Sequence, residues 1–269
     1  MTLPNMIYGT AWKKDETARL VELAIKSGFR AIDTACQPKH YNEKGVGDAL
    51  AKLYLEGYKR EDIFLETKFT PKDGQDPNNI PYNPNDTLEK QILDSFETSL
   101  KNLQTSYIDS YILHSPLFPF TQTLKAWKVL EKLYDEKKVL NIGISNCYDF
   151  RVFKNLYKEA RIKPTILQNR FYNDSSYDKE LREFCKENNI NYLGFWTLTA
   201  NPHILASDII NDLREKYNKS QPQIFYRYLT QIGITPLNGT TSQTHMSQDL
   251  NIFDFELSSE EIDNINSLL

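Results

Sequence analysis

Short runs of β-branched and aromatic residues recur along this chain, and they alternate with stretches whose apolar positions fall on one helical face. The runs are Met6–Thr10, Phe29–Thr34, Ile63–Lys68, Tyr107–His114, Val139–Asn146, Thr165–Arg170, Ile190–Trp196 and Ile234–Asn238. Each is short and rich in residues that fit a pleated, buried surface, so each predicts a strand. Between them lie helical patterns with start and stop signals. Leu20, Val21, Ala24 and Ile25 share one face of a helix, and Gly28 follows Ser27 as a terminating glycine. Asp86-Thr87-Leu88-Glu89 and Ser258-Ser259-Glu260-Glu261 have the form of capping boxes.

Eight strand and helix pairs in a chain of 269 residues predict an α/β fold of the (β/α)₈ TIM-barrel type. A doubly wound open sheet of this length would more often have fewer strands. No internal repeat or low-complexity linker divides the chain, so residues 1–269 are expected to form a single domain.

Composition narrows the function classes. The 32 Lys and Arg against 36 Asp and Glu leave a net charge of −4 without a polybasic block, which argues against nucleic acid as a partner. No apolar run is long enough for a membrane span, and the first residues, Met1 to Met6, lack the basic and apolar regions of a signal peptide. A cytoplasmic protein is expected. Cys36, Cys147 and Cys185 are too few and too dispersed for a disulfide framework or a zinc knuckle, and are read as reduced.

A barrel carries its chemistry at the C-terminal ends of its strands. Here those ends are polar: Asp33, Lys68, His114, Ser145-Asn146, Gln168-Asn169 and Asn238-Gly239-Thr240. Taken alone, such an Asp is often a turn residue, the Lys solvated and the His a satisfied core group. An Asp, a Lys and a His converging at one mouth can hold and polarise a carbonyl.

The segments Gly28-Phe29-Arg30-Ala31-Ile32-Asp33-Thr34-Ala35, Tyr41-Asn42-Glu43 and Val46-Gly47-Asp48-Ala49-Leu50 resemble the aldo-keto reductase signature. Gly9-Thr10-Ala11-Trp12, Glu66-Thr67-Lys68, Tyr111-Ile112-Leu113-His114 and Gly143-Ile144-Ser145-Asn146 resemble further motifs of that family, in order along nearly the whole chain. The resemblance implies a nicotinamide cofactor bound without a Rossmann domain and reduction of aldehydes or ketones. Consistently, no G-x-G-x-x-G occurs: Gly45-Val46-Gly47 leads to Leu50 where a third glycine would be needed.

The resemblance also implies a catalytic set of Asp33, Tyr41, Lys68 and His114, and no metal. Hydride addition to a carbonyl leaves an alkoxide that needs a proton, and Tyr41 is the candidate acid. A free phenol near pKa 10 is a weak acid at neutral pH, and a neighbouring Lys68 ammonium would lower that value. Asp33 would pair with Lys68, while His114 would donate a hydrogen bond that orients the substrate oxygen. The sequence departs from the family pattern at the tyrosine, since the expected position holds Pro38. Tyr41 is the only tyrosine of the segment, so an inserted bulge has to deliver it. In the alternative, Tyr41 packs beneath the loop and His40 faces the substrate.

For the cofactor, the resemblance implies Gly9 and Thr10 at the first strand and Ser145, Asn146 and Gln168 around the nicotinamide carboxamide. Gly194-Phe195-Trp196 occupies the place of the ring-stacking tyrosine, with Phe195 as the expected face and Trp196 as the alternative. The family's basic clamp on the 2′-phosphate appears here as Leu237, Asn238 and His245. What remains is Gly239-Thr240-Thr241-Ser242, a hydroxyl-rich turn of a kind that binds phosphate through backbone N–H groups. NADP(H) is expected, with NAD(H) as the alternative.

The substrate is expected to be a small carbonyl compound, acted on by a monomer. Trp12, Phe118 and Phe120 suggest an apolar wall, with His40 and Ser115 beside it. The long loop from Thr70 to Pro84 has the length of a lid. The chain stops soon after its last helix, which implies an open site. Two alternatives use the same barrel differently: a cofactor-binding regulatory subunit without turnover, and a Schiff-base lyase with Lys68 as nucleophile.

Overall fold

The computed structural model describes residues 3–269. Met1 and Thr2, which the expected domain and the reading of the first residues include, lie outside the described residues. Strands β1 (Ile7–Gly9), β2 (Ala31–Asp33), β3 (Phe64–Phe69), β4 (Ser110–Leu113), β5 (Ile142–Ser145), β6 (Ile166–Arg170), β7 (Asn191–Phe195) and β8 (Ile234–Asn238) pair in parallel, in chain order. β1 pairs with β8, which closes the barrel. Helices α1 (Thr17–Ser27), α2 (Glu43–Leu55), α3 (Leu88–Leu103), α4 (Phe120–Asp135), α5 (Phe150–Glu159) and α6 (Lys179–Glu187) fill the first six crossovers. The connection from β7 to β8 carries α7 (Pro202–Leu205), α8 (Asp208–Tyr217) and α9 (Gln221–Gln231), and α10 (Gln243–Leu250) and α11 (Ser259–Asn266) follow β8. The predicted (β/α)₈ barrel is therefore the observed fold.

The barrel interior is layered. Its lower layer is apolar, built from Ile7, Ala31, Phe64, Ile112, Ile166 and Leu193. Gly143 of β5 belongs to the same interior, and a Cβ there would stand 2.5 Å from the Ile166 carbonyl oxygen, so only glycine fits. The apolar faces of the helices cover the outside of the strands. On α1, Leu20, Val21, Ala24 and Ile25 are all buried, and each of the larger ones contributes about 1.5–3 kcal/mol by leaving water.

Six of the strands are shorter than the runs that predict them, losing residues at one or both ends. Asn146 and Trp196, just past β5 and β7, have φ of 51° and 57°, a left-handed conformation that no strand can hold. Gly28 ends α1 at φ 118°, and Ser258 with Glu261 forms the predicted capping box of α11. At α3 the prediction is one residue early. Thr87, not Asp86, is the N-cap, and its side chain accepts from the Lys90 amide, so Glu89 does not complete a box.

The Thr70–Pro84 loop is anchored rather than free. Tyr82 Oη donates to the Thr70 carbonyl at 2.9 Å, buried Gln75 donates to the Cys36 carbonyl, and Gln37 donates to the Gly74 carbonyl. Among the described residues no helix is long and apolar enough to cross a membrane.

Candidate active site

Above the apolar layer lies a buried polar one. Lys68 Nζ forms an ion pair with Asp33 Oδ1 and donates to the Thr34 carbonyl at 2.9 Å. Gln168 Nε2 reaches across the barrel from β6 to donate to Asp33 Oδ1 at 2.9 Å and to Glu66 Oε1 at 2.6 Å. Ser110 Oγ donates to the other oxygen of Glu66. Burial pushes the Glu66 carboxyl up to about 8, Lys68 pulling it down and Asp33 adding to the rise. Burial opposes the charge on Lys68, but Asp33, Tyr41 and Glu66 outweigh it and hold the ammonium above its ordinary value. The layer therefore pairs the Lys68 ammonium with Asp33 beside a glutamate raised well above its ordinary value.

A cavity of about 900 Å³ opens directly over this layer. Tyr41, His114 and Asp33 all face it. Lys68 Nζ lies 5.6 Å from the centroid of the Tyr41 ring, and the Tyr41 and His114 rings are 6.0 Å apart, edge to face. The expectation for the phenol is met only in part. Burial pushes it up to about 12, and the pull of Lys68 is smaller than that push. Tyr41 is consequently a protonated phenol at neutral pH. His114 is a neutral imidazole, because burial and the Lys68 charge lower it to about 3. Its Nδ1 is 2.6 Å from Thr70 Oγ1, and Thr70 is the first residue after β3. His40 also lines the cavity, its ring packed against Trp12 with centroids 3.8 Å apart and planes tilted by 40°.

Most of the residues singled out in the sequence converge on this cavity. Gly9, Trp12, His40 and Ser115 line it, as do Ser145, Asn146, Gln168, Phe195 and Trp196. Leu237, Asn238, Gly239, Thr240 and His245 line the end beside β8. Gln168 spends both amide hydrogens on carboxylates, and its amide oxygen accepts nothing among the described residues. Asn146 donates to the His114 carbonyl and so ties the end of β5 to β4.

Five of the expected residues lie elsewhere. Thr10 is fully buried, and its hydroxyl donates to the Asp33 carbonyl inside the barrel wall. Phe118 is 73% exposed and off the cavity, while Phe120 packs on the core at the start of α4, so neither builds an apolar wall. Thr241 and Ser242 also miss the cavity, Ser242 because its side chain caps α10. Of the Thr70–Pro84 loop, only Thr70, Pro71 and Gly74 reach the cavity.

Four further charged residues belong to the cavity or to the layer beneath it. Glu66 stands in the middle of a fully buried strand, which is itself a signal. Arg170 is the true end of β6, and it lines the cavity. Lys13, next to Trp12, donates from Nζ to the Gly239 carbonyl and places a cation where only neutral donors and His245 were expected. Asp249 on α10 lines the same end, bonded by Asn238 Nδ2 and 5% exposed. Burial pushes its carboxyl up to about 6, with Asn238 and His245 acting against that rise.

A family model, the Aldo/keto reductase family, matches residues 5–269. The chain belongs to the aldo/keto reductases. It is 34% identical to the glyoxal reductase of Bacillus subtilis over 94% of this chain and 84% of that protein. It is 33% identical to the 9,11-endoperoxide prostaglandin H2 reductase of Trypanosoma cruzi over 99% of this chain and 88% of that one. Among solved structures, an aldo-keto reductase from a Medee basin deep-sea metagenome library superposes with a TM-score of 0.84 at 28% identity, covering 100% of this chain and 92% of its own. An aldo-keto reductase of Bombyx mori in complex with NADP gives 0.83 at 25% identity, covering 99% and 89%. This aldo/keto reductase is thus an NAD(P)H-dependent oxidoreductase that reduces the carbonyl group of small molecules.

The cavity suits an aldo/keto reductase cofactor. Phe195 and Trp196 offer aromatic faces beside the polar layer, and Trp196 is 48% exposed. Thr197 Oγ1 is buried without a hydrogen-bond partner. Asn238, Gln248, Asp249 and Lys13 make the end beside β8 polar, as the sugar and phosphate groups of a dinucleotide require.

Proposed function

We propose that this chain reduces small aldehydes and ketones with Tyr41 as the proton donor, His114 as the group that orients the substrate oxygen, and the Lys68–Asp33 pair as the support of Tyr41. One observation carries the reading: Tyr41 and His114 face a single cavity, directly above a buried ammonium 5.6 Å from the phenol ring. When bound, the nicotinamide supplies a hydride to the carbonyl carbon. Tyr41 then moves its proton to the substrate oxygen, and the Lys68 ammonium stabilises the phenolate left behind. Asp33 keeps that ammonium paired while it is buried. When Thr70 donates to Nδ1, neutral His114 presents Nε2–H as a donor.

Residues suited to holding the cofactor are Ser145, Asn146 and Gln168 at the carboxamide, Phe195 or Trp196 at the ring, and Lys13, Thr240, His245 and Asn238 at the far end. NADPH is favoured over NADH by a small margin. Lys13 and the hydroxyl of Thr240 support it, while Asp249 and the lack of a Lys or Arg on β8 oppose a large preference. The lyase reading has little support, since Lys68 is 1% exposed, charged and absent from the cavity wall. The buried free thiols Cys36, Cys147 and Cys185 fit a reducing, cytoplasmic setting. The barrel is proposed to act as a monomer and as one domain.

The deciding experiment is a titration with NADPH and NADH followed by a panel of aldehydes and ketones. Cofactor binding with turnover of several carbonyls is expected. Binding without any turnover would favour a regulatory barrel, and borohydride trapping of a substrate on Lys68 would favour the lyase.

A further inference from the structure

Arg170 ends β6, two residues beyond Gln168, so its side chain leaves the strand on the same inward side, one layer nearer the mouth. It lines the cavity. Its guanidinium carbon lies 4.1 Å from the centroid of the Trp196 ring and 5.1 Å from that of Tyr172. Among the described residues the guanidinium has no carboxylate partner and no hydrogen bond, and its Nε is shielded from solvent without an acceptor. The other charges around the cavity are already engaged. Asp33 is paired with Lys68, Asp249 accepts from Asn238, and Lys13 donates to Gly239. A ring over its face leaves the N–H donors of a guanidinium in their plane, where the fork matches the two oxygens of a carboxylate.

We propose that Arg170 anchors an anionic group of the substrate, so that the preferred substrates are aldehydes or ketones carrying a carboxylate. The proposal rests on the reductase reading of the same cavity. In a closed barrel of eight strands β6 stands opposite β2, and Tyr41 follows β2. A substrate that reaches both must hold its carboxylate away from its carbonyl by a spacer such as an aromatic ring, not beside it as in a 2-oxo acid.

The test compares 4-carboxybenzaldehyde with its neutral methyl ester, in the wild type, Arg170→Gln and Arg170→Lys. The wild type is expected to favour the acid in kcat/KM by about tenfold or more, mostly through KM, and Arg170→Gln to erase that ratio while Arg170→Lys keeps part of it. Benzoate and benzamide binding to the wild-type protein, measured by calorimetry, provides a readout independent of turnover and of any variant's folding. Benzoate is expected to bind about tenfold tighter. Equal binding of the two, or the same acid-to-ester ratio in the wild type and Arg170→Gln, overturns the proposal. If Arg170→Gln instead weakens NADPH binding and slows both aldehydes equally, the guanidinium serves the cofactor pyrophosphate and the proposal is overturned as well. Should neither aldehyde be reduced with NADPH or NADH while the benzoate preference holds, the reductase reading falls and the anion anchor stands.

Discussion

Thr70 Oγ1 stands 2.6 Å from His114 Nδ1, so a residue on the loop after β3 fixes the imidazole that follows β4. The contact is possible because β3 and β4 are neighbours with Phe69 opposite Leu113, which brings the next residue of each strand together. Neutral His114 carries one ring proton, and the tautomer in which Thr70 donates to Nδ1 puts that proton on Nε2.

Thr70→Val removes that hydroxyl and keeps the shape. The ring is then free to exchange tautomers, and kcat/KM for carbonyl reduction is expected to fall about tenfold, the equivalent of one lost hydrogen bond of about 1.4 kcal/mol. Cofactor dissociation constants are expected to stay close to wild type. Steady-state kinetics beside a cofactor titration checks both, and an unchanged kcat/KM would remove Thr70 from the positioning of His114.

Tyr41→Phe deletes only the phenolic oxygen. Reduction is expected to slow by roughly 10²–10⁴ with fold and cofactor affinity retained, because general acid catalysis contributes on that scale. His40→Ala, which alters a ring packed against Trp12, is expected to cost far less. Single-turnover rates with each variant compare the two, and an active Tyr41→Phe beside an inactive His40→Ala would transfer the acid role to His40.

Glu66 gives the stability a pH signature. Burial holds its carboxyl up at about 8, whereas an unfolded glutamate titrates near 4.3. The native state binds the extra proton between those values, so this group's contribution is present below the lower one and is lost as pH rises through the window. Glu66→Gln keeps an acceptor for Gln168 and offers a donor to Ser110. Its stability relative to the wild type is expected to improve from about pH 5 to about pH 8 in urea unfolding. A difference that does not change with pH would show that Glu66 is ionised throughout.

At the end of the cavity beside β8, Asp249 gains its charge as pH rises through about 6. The affinity ratio of NADPH to NADH is therefore expected to fall from about pH 5 to about pH 7.5, and Asp249→Asn to flatten that fall. Leu237→Lys, which adds a cation to the same wall, is expected to raise the ratio about tenfold, or about 1.4 kcal/mol. Fluorescence titrations at several pH values measure these ratios, and a wild-type ratio independent of pH would exclude Asp249 from cofactor choice.

The barrel was legible in the chain because parallel strands buried on both faces must be short and apolar, and the helices between them must be amphipathic. Both constraints act residue by residue, so Ile142–Ser145 and the face formed by Leu20, Val21, Ala24 and Ile25 show in the sequence itself. Asp33, Lys68 and His114 were legible for a related reason: a charged or polar residue ending an apolar strand has no local explanation. What the sequence could not settle depends on where separate strands place their side chains. Thr10 and Ser242 carry hydroxyls at suitable positions, yet one is spent on the Asp33 carbonyl and the other on the first turn of α10. Lys13, Asp249 and Arg170 look like ordinary charges until closure of the barrel brings them to one cavity. The pKa values follow the same division. The ammonium beside Tyr41 was foreseen, but its pull is smaller than the push of burial, and burial is a property of the closed barrel that no short segment carries.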